Sequence, residues 1–249
     1  MIPKTIHYCW FGGKPLPKSV KDNIKTWKKQ CPNYKIIQWD ESNYDISAND
    51  YTRQAYERGK YAFVTDYARL EIVHEYGGIY LDTDVELIKP LDAFLKYDAF
   101  FAMEEAGRVA TGLGFGSTKN NEILDQTKHQ YDNQLFYDGN KENLKTCIEY
   151  SAPVFENLGL ANKNKTQYFN QSRIAVFATD VFCPQSLETG KTAITNDTVS
   201  IHHYDSSWKK HPQISRHLTK YKIRLRKLLD KLFGSGTYNR IKQFVKKQS

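Results

Sequence analysis

Two carboxylates one residue apart, Asp82 and Asp84, stand at the end of a short apolar run, Ile79-Tyr80-Leu81. Side chains at i and i+2 of an extended chain share a face, so two like charges would sit close together there. That is unfavourable unless a cation or hydrogen-bond donors neutralise them. A hard cation with oxygen ligands, Mg²⁺ or Mn²⁺, fits such a pair, and Mg²⁺ typically adds substrate phosphates to one or two carboxylates. The pattern therefore points to a diphosphate ligand. The alternative is a solvated turn after an edge strand. Asp66 and Arg69 add to the case. At i and i+3 they share one helix face, yet Phe63, Val64, Ala68, Leu70, Ile72 and Val73 make that helix too apolar for an ordinary surface ion pair. An acid and a guanidinium held there suit sugar hydroxyls and phosphate.

The elements that must position these groups follow from pattern. Ile6, Tyr8 and Trp10 alternate as a strand, and Phe11-Gly12-Gly13 turns the chain. Pro17 to Gln30 reads as a helix, with Val20, Ile24 and Trp27 on one face. Tyr34 to Trp39 reads as a second strand, and a strand-helix-strand unit implies parallel pairing. A helix from Tyr61 to Tyr76 should end at Gly77-Gly78. Further strands are expected near Ala99–Met103, Leu113–Gly116, Ile174–Phe177 and Val199–Ile201, and helices over Asn121–Tyr131 and Lys141–Leu158. The acids then lie beyond the carboxyl end of a strand, where open α/β sheets bind ligands.

The 249 residues are 40% hydrophobic and 14% aromatic, which excludes a disordered chain. No apolar run reaches the roughly 20 residues that span a bilayer, and the N-terminus has no secretory pattern. Cys9, Cys31, Cys147 and Cys183 show no metal-finger spacing and read as reduced, as in a cytosolic chain. The net charge of +8 is unevenly placed. From Lys209 onward there are 13 Lys and Arg against one acid, Asp230, so 23 basic and 27 acidic residues remain in the body. In the tail, Leu218, Tyr221, Leu225, Leu228 and Leu232 recur at helical spacing among Lys and Arg. A basic amphipathic helix reads as an anchor on an anionic membrane surface. The other reading is a helix packed on its own domain or on a partner subunit. Charge alone would also admit nucleic acid, but the body carries no matching motif, and no nucleic-acid partner is expected.

Four segments together resemble the glycosyltransferases with a DXD sugar-binding region. They are Trp10-Phe-Gly-Gly, Asp66-x-x-Arg69, Tyr76-Gly-Gly-Ile-Tyr80-Leu-Asp82-x-Asp84, and His202-His203-Tyr-Asp-Ser206-Ser-Trp208. The nearest likeness is to enzymes of bacterial capsular polysaccharide synthesis. Fungal initiating mannosyltransferases are also similar, and the glucosylating domains of clostridial toxins more distantly. The resemblance implies an α/β, GT-A-like fold, with a Rossmann-type mixed sheet flanked by helices. It places that domain over residues 1–208, ahead of the basic helical tail, 209–249. It further implies a retaining, metal-dependent hexosyl transfer from a nucleotide sugar, UDP-linked, to a saccharide. A lipid-linked acceptor on the cytoplasmic face of the cell membrane would suit the tail.

Carried onto this sequence, the resemblance has Trp10 stack on the donor base. Asp66 and Arg69 hold donor sugar hydroxyls, with Arg69 reaching toward phosphate. Tyr80 and Asp82 contact ribose or sugar, with Asp82 touching the metal through water. Asp84 binds the metal directly, and Ser206 and Trp208 close over the β-phosphate. An acid or histidine late in the chain completes the metal shell. His202 and His203 are adjacent in an apparent strand and point to opposite faces; the spacing to Trp208 favours His203. Imidazole suits Mn²⁺ better than Mg²⁺. Glu104 and Glu105 either line the acceptor side or are solvated. Two other classes compete. Asp82-Thr-Asp84-Val85 also fits the loop of an aspartate-nucleophile phosphatase, a hydrolase, but a βαβ unit precedes it and no second acidic pair follows. A non-catalytic carbohydrate-binding or membrane-adaptor protein is disfavoured because no donor-site residue is missing.

Overall fold

Strand β1 (Thr5–Cys9) runs into the Trp10 loop, helix α1 (Lys18–Gln30) returns the chain, and β2 (Lys35–Trp39) pairs with β1 in parallel, Thr5 opposite Lys35 through Cys9 opposite Trp39. This is the βαβ unit expected from the pattern. The computed structural model describes residues 1–171, 173–205, 212–234, 237–238 and 241. Helix α1 starts after Pro17 and buries Val20, Ile24 and Trp27, each contributing about 1.5–3 kcal/mol by removal from water. Next come α2 (Asp50–Glu57), α3 (Tyr61–Tyr76), β3 (Gly78–Tyr80) and β4 (Val85–Leu87). They are followed by β5 (Ala99–Glu105), β6 (Arg108–Val109), β7 (Phe115–Ser117), α4 (Glu122–His129) and α5 (Cys147–Asn157). The remaining elements are β8 (Gln167–Phe169), β9 (Ile174–Phe177), α6 (Thr179–Phe182), β10 (Ser200–His202) and α7 (Pro212–Phe233).

The main sheet has the order β2-β1-β3-β7-β5-β9-β8, with β6 alongside β5. Strands β1, β2 and β3 are parallel, β7 is antiparallel to both β3 and β5, and β9 is parallel to β5. Thus β1, β2, β3, β5 and β9 all point one way, and their carboxyl ends form a single edge. The sheet is mixed and flanked by helices, as the resemblance implied. Central strands carry no alternation because both faces are covered: Ile79, Tyr80, Phe100, Phe101 and Phe115 are all buried. Helix α3 is buried on nearly every side, through Val64, Tyr67, Ala68, Leu70, Ile72 and Val73. One expectation shifts, and one helix was not expected at all. The helix expected over Lys141–Leu158 begins only at Cys147, because Thr146 and Glu149 form a capping box there. The helix α2, set by Asn49 accepting from the Tyr51 and Thr52 amides, had no strong apolar stripe to announce it.

The described chain forms two compact units, residues 1–184 with 193–203, and residues 185–192 with 204–249. In the second unit the carboxylate of Glu188 accepts from Lys227 Nζ at 2.5 Å and lies 3.7 Å from Arg224 Nε. Tyr221, Leu225, Leu228, Leu232 and Phe233 of α7 are exposed, whereas Ile223 is buried.

Candidate functional site

Helix α3 hands the chain to β3 through Gly77 and Gly78. Gly78 lies at φ +111, and a Cβ there would meet His7 Nε2 at 2.8 Å and the Thr5 carbonyl at 2.9 Å. Only glycine fits this position. His7, buried in β1, donates from Nε2 to the Gly77 carbonyl at 2.9 Å and accepts at Nδ1 from the Trp39 indole at 3.0 Å. Burial, above all, lowers its pKa to about 4, so it is a neutral strut under the strand that carries the acids.

The strand ends at Tyr80, and the acids do not continue it. Thr83 and Asp84 form a turn in which the Val85 amide donates to the Asp82 carbonyl at 3.0 Å. The extended i, i+2 geometry expected from sequence is replaced by a folded one that still brings the two carboxylates together. Helix α1 holds the turn: Asn23 Nδ2 donates to the Thr83 carbonyl at 2.9 Å and Trp27 Nε1 to the Val85 carbonyl at 2.8 Å.

Asp82 is the hub. Tyr80 Oη donates to its Oδ1 at 3.0 Å, and Arg69 Nη1 lies 3.4 Å from both its oxygens. Arg69 also donates to Asp66 through Nη2 and to the Thr65 carbonyl through Nε. Side-chain exposure rises from 4% at Arg69 through 13% at Asp66 to 27% at Asp82, so Asp82 faces the opening. Burial pushes the Asp66 carboxyl up to about 6, against the pull of Arg69. Burial also raises Asp82, with Arg69 opposing and the neighbouring Asp84 adding to the rise. Burial works against the charge of Arg69, but Asp82 and Asp66 hold it firmly protonated. Buried ionic clusters of this kind favour neither compactness nor stability and concentrate at functional sites.

The imidazole that reaches the acids is His202, not His203. His202 Nε2 lies 3.1 Å from Asp84 Oδ1, and single ligand atoms of Asp82, Asp84 and His202 lie within 4.8 Å of one another. His203 Nε2 instead lies 3.0 Å from Glu86 Oε2. Strand β10 pairs antiparallel with β4, His202 opposite Val85 and Ile201 opposite Glu86. His203 and Glu86 therefore share a face diagonally. Asp84, lying in the turn before β4, escapes that alternation and swings to the His202 side. The two histidines do face opposite ways, but spacing to Trp208 points to His203, whereas the structure sets His202 beside the acids. Burial would lower the His202 pKa, but the charge and hydrogen bond of Asp84, with help from Asp82 and Glu104, raise it to about 9.

Two carboxylates and an imidazole are a donor set for one divalent ion, and the 3.1 Å separation of Nε2 and Oδ1 matches adjacent ligands of an octahedron with bonds of about 2.1 Å. Among the described residues it is the one such group. Gly112, which the sequence reading missed, completes the site's wall. Its carbonyl accepts from the Asp82 amide at 3.2 Å, and a Cβ on it would fall 2.2 Å from Asp82 Oδ2 and 2.8 Å from Arg69 Nη1. The only signal for it was the small Thr111-Gly-Leu-Gly run.

Trp10 is partly buried in the loop after β1, at the same sheet edge, with Nε1 donating to the Lys14 carbonyl at 2.6 Å. Ser206 and Trp208 lie outside the described residues.

Residues 17–101 match the family described as glycosyltransferase sugar-binding region containing DXD motif. The match takes in Asp66, Arg69, Tyr80, Asp82 and Asp84; Trp10 and the two histidines lie outside it. Over 103 residues the chain is 34% identical to inositol phosphoceramide mannosyltransferase 3 of Schizosaccharomyces pombe, covering 40% of this chain and 29% of that one. It is 32% identical over 104 residues to mannosyl phosphorylinositol ceramide synthase SUR1 of Saccharomyces cerevisiae, covering 40% and 27%. It is 30% identical over 134 residues to an uncharacterized glycosyltransferase, L373, of Acanthamoeba polyphaga mimivirus, covering 50% and 53%. The chain thus spans about half or less of the length of these relatives. Among solved structures, PaToxG glycosyltransferase aligns with a TM-score of 0.48 and 21% identity, covering 63% of this chain and 67% of that one.

Proposed function

We propose, from the premise that residues 17–101 are a DXD-type sugar-binding region, that this chain transfers a hexose from a nucleotide sugar to a saccharide hydroxyl. The observation that supports this most is the meeting of Asp82, Asp84 and His202 beside the buried Asp66–Arg69 pair at one sheet edge. These three would hold a divalent ion, with Mn²⁺ suited to the imidazole. When bound, it supplies Lewis-acid neutralisation of the charge gathering on the departing diphosphate. Asp66, held in place by Arg69, would accept from donor sugar hydroxyls, and Asp82 would do so on the exposed side. Arg69 has its donors committed to Asp66 and Asp82, so it acts chiefly by keeping both carboxylates aimed. Trp10 would stack on the donor base. Transfer with retention requires no enzymic nucleophile when the acceptor attacks from the face the diphosphate leaves.

The donor we favour is UDP-linked. One relative is a mannosyltransferase by name and another a mannosyl phosphorylinositol ceramide synthase, which brings GDP-mannose into the same test. A lipid-linked oligosaccharide of a bacterial capsule or other surface polysaccharide is the acceptor we favour, with α7 resting on the anionic inner face of the membrane. No helix among the described residues is long and apolar enough to cross a membrane. The test is release of nucleoside diphosphate from a panel of UDP-hexoses and GDP-mannose, with Mn²⁺ and with chelator. Release that needs the ion and disappears in Asp84→Ala is expected; phosphate release from simple monoesters would favour a phosphatase, and silence a non-catalytic adaptor.

A further inference from the structure

The loop that carries Trp10 is held in place by its neighbours. Trp10 follows β1 and Asp40 follows β2, so both stand at the sheet edge that bears the acids. Residues 10–17 form neither helix nor strand. A loose segment of this kind would have to be ordered each time it met a ligand, at a cost in entropy. Trp10 spends its single polar hydrogen, the indole N–H, on the Lys14 carbonyl at 2.6 Å. What it can offer a ligand is therefore a ring face, and a face serves only if the loop fixes its angle.

Three elements converge on that loop at Gly12. The first is the turn after β2, where Asp40 Oδ1 accepts from the Ser42 amide and Asn43 Oδ1 from the Asp40 amide, each at 2.9 Å. This turn presents Glu41, whose Oε1 accepts from the Gly12 amide at 2.5 Å, a short bond of the kind carboxylates make to backbone N–H. The second is α2, from which Tyr56 Oη donates to the same Glu41 oxygen at 2.9 Å. The third is α3, whose first residue, Tyr61, sets its ring 5.4 Å from that of Tyr56 and against Gly12. Gly12 lies at φ +94, and a Cβ on it would come 2.7 Å from Tyr61 Cζ, so position 12 calls for glycine on both counts. Beside it Phe11 is buried, its ring 5.8 Å from that of Tyr44.

We propose that Glu41 is a positioning residue for the nucleotide. By receiving Gly12 and Tyr56 at one oxygen, it latches the Trp10 loop in the conformation that stacks on the donor base. This rests on the sugar-transfer reading above and deepens it at the base end of the site. Glu41 acts through Trp10 and takes no part in the transfer step. Its contribution is to binding, because order supplied in advance is order the nucleotide need not impose. Its removal therefore falls on donor affinity and leaves the ion site as it was.

The experiment uses the full chain with Mn²⁺ and titrates UDP and GDP by isothermal calorimetry. For the nucleotide that the parent binds, Glu41→Ala should weaken Kd by about 5-fold or more, with Mn²⁺ affinity in the absence of nucleotide within about 2-fold of the parent. Glu41→Gln keeps an oxygen that can accept both hydrogens, so it should recover most of the affinity. In a Trp10→Ala background, Glu41→Ala should cost nothing further, because the latch works through that ring. A Glu41→Ala chain that binds as the parent does, an equal loss in Glu41→Gln, or a loss that adds in full to that of Trp10→Ala would overturn the proposal. A parent that binds neither nucleotide would instead strike the sugar-transfer reading beneath it. Acrylamide quenching of the fluorescence that Trp10→Phe removes then tests the latch by itself: it should rise in Glu41→Ala and not in Glu41→Gln, and no rise would overturn the latch as well.

Discussion

The group with the least chemistry of its own, Gly112, sets the tightest constraint on the site. Its backbone is unstrained, so it is needed for space and not for conformation: a methyl group would overlap Asp82 Oδ2 and press on Arg69 Nη1. Gly112→Ala should displace Asp82 from both Arg69 and the ion. We expect Mn²⁺ affinity to fall by about 10-fold or more while the far-ultraviolet circular dichroism spectrum stays native; an unchanged affinity would show that the wall can yield. At the same scale, the Arg69 guanidinium donates to Asp66, Asp82 and the Thr65 carbonyl, so Arg69→Lys, which loses the fork geometry, should disturb both acids together.

At the scale of elements, the site depends on how three pieces are locked beneath it: α1 through Asn23 and Trp27, β1 through His7, and α3 through Gly77-Gly78. His7 carries a pH dependence. In the folded chain its pKa is about 4, against 6.5 for an exposed histidine. A depressed folded pKa means that the unfolded chain takes up the proton first. Its stabilising contribution is complete above pH 6.5 and is lost as pH falls toward 4. The loss approaches about 3 kcal/mol, and protonation at Nδ1 would also set two N–H groups of His7 and Trp39 against each other. Melting temperature should fall over that window in the parent and fall less steeply in His7→Gln; parallel slopes would contradict the assignment. Much of this level was legible beforehand. The βαβ start, the Tyr61–Tyr76 helix and the short apolar strand all had periodicity or glycine punctuation. The antiparallel course of β7 had no such mark, because a three-residue buried strand reads the same in either direction. The turn at Thr83-Asp84 was likewise hidden, since what folds it is the amide of Asn23, sixty residues earlier in the chain.

At the scale of the whole molecule, the segments 185–192 and 204–249 form a unit of their own, which no composition change near residue 185 announced. Within it Glu188 engages Lys227 and Arg224 on one side of α7. Tyr221, Leu225, Leu228 and Leu232 of the same helix are exposed, and in sequence they recur among Lys and Arg. Such a helix is suited to an anionic lipid surface, where each basic side chain contributes about 1 kcal/mol. The full chain should co-sediment with phosphatidylglycerol vesicles and not with phosphatidylcholine ones. Leu225→Glu with Leu228→Glu should abolish pelleting; equal pelleting of both forms would remove the anchor. The candidate ion site is also a product of the whole fold, since β10 delivers His202 to acids far earlier in the sequence. Its most direct test is Mn²⁺ titration followed by electron paramagnetic resonance on the parent, His202→Ala and His203→Ala. Retention of parent affinity by His203→Ala, with a loss of about 10-fold or more in His202→Ala, is the result this structure predicts. The reverse order, or a parent chain that leaves Mn²⁺ free in solution, would contradict it.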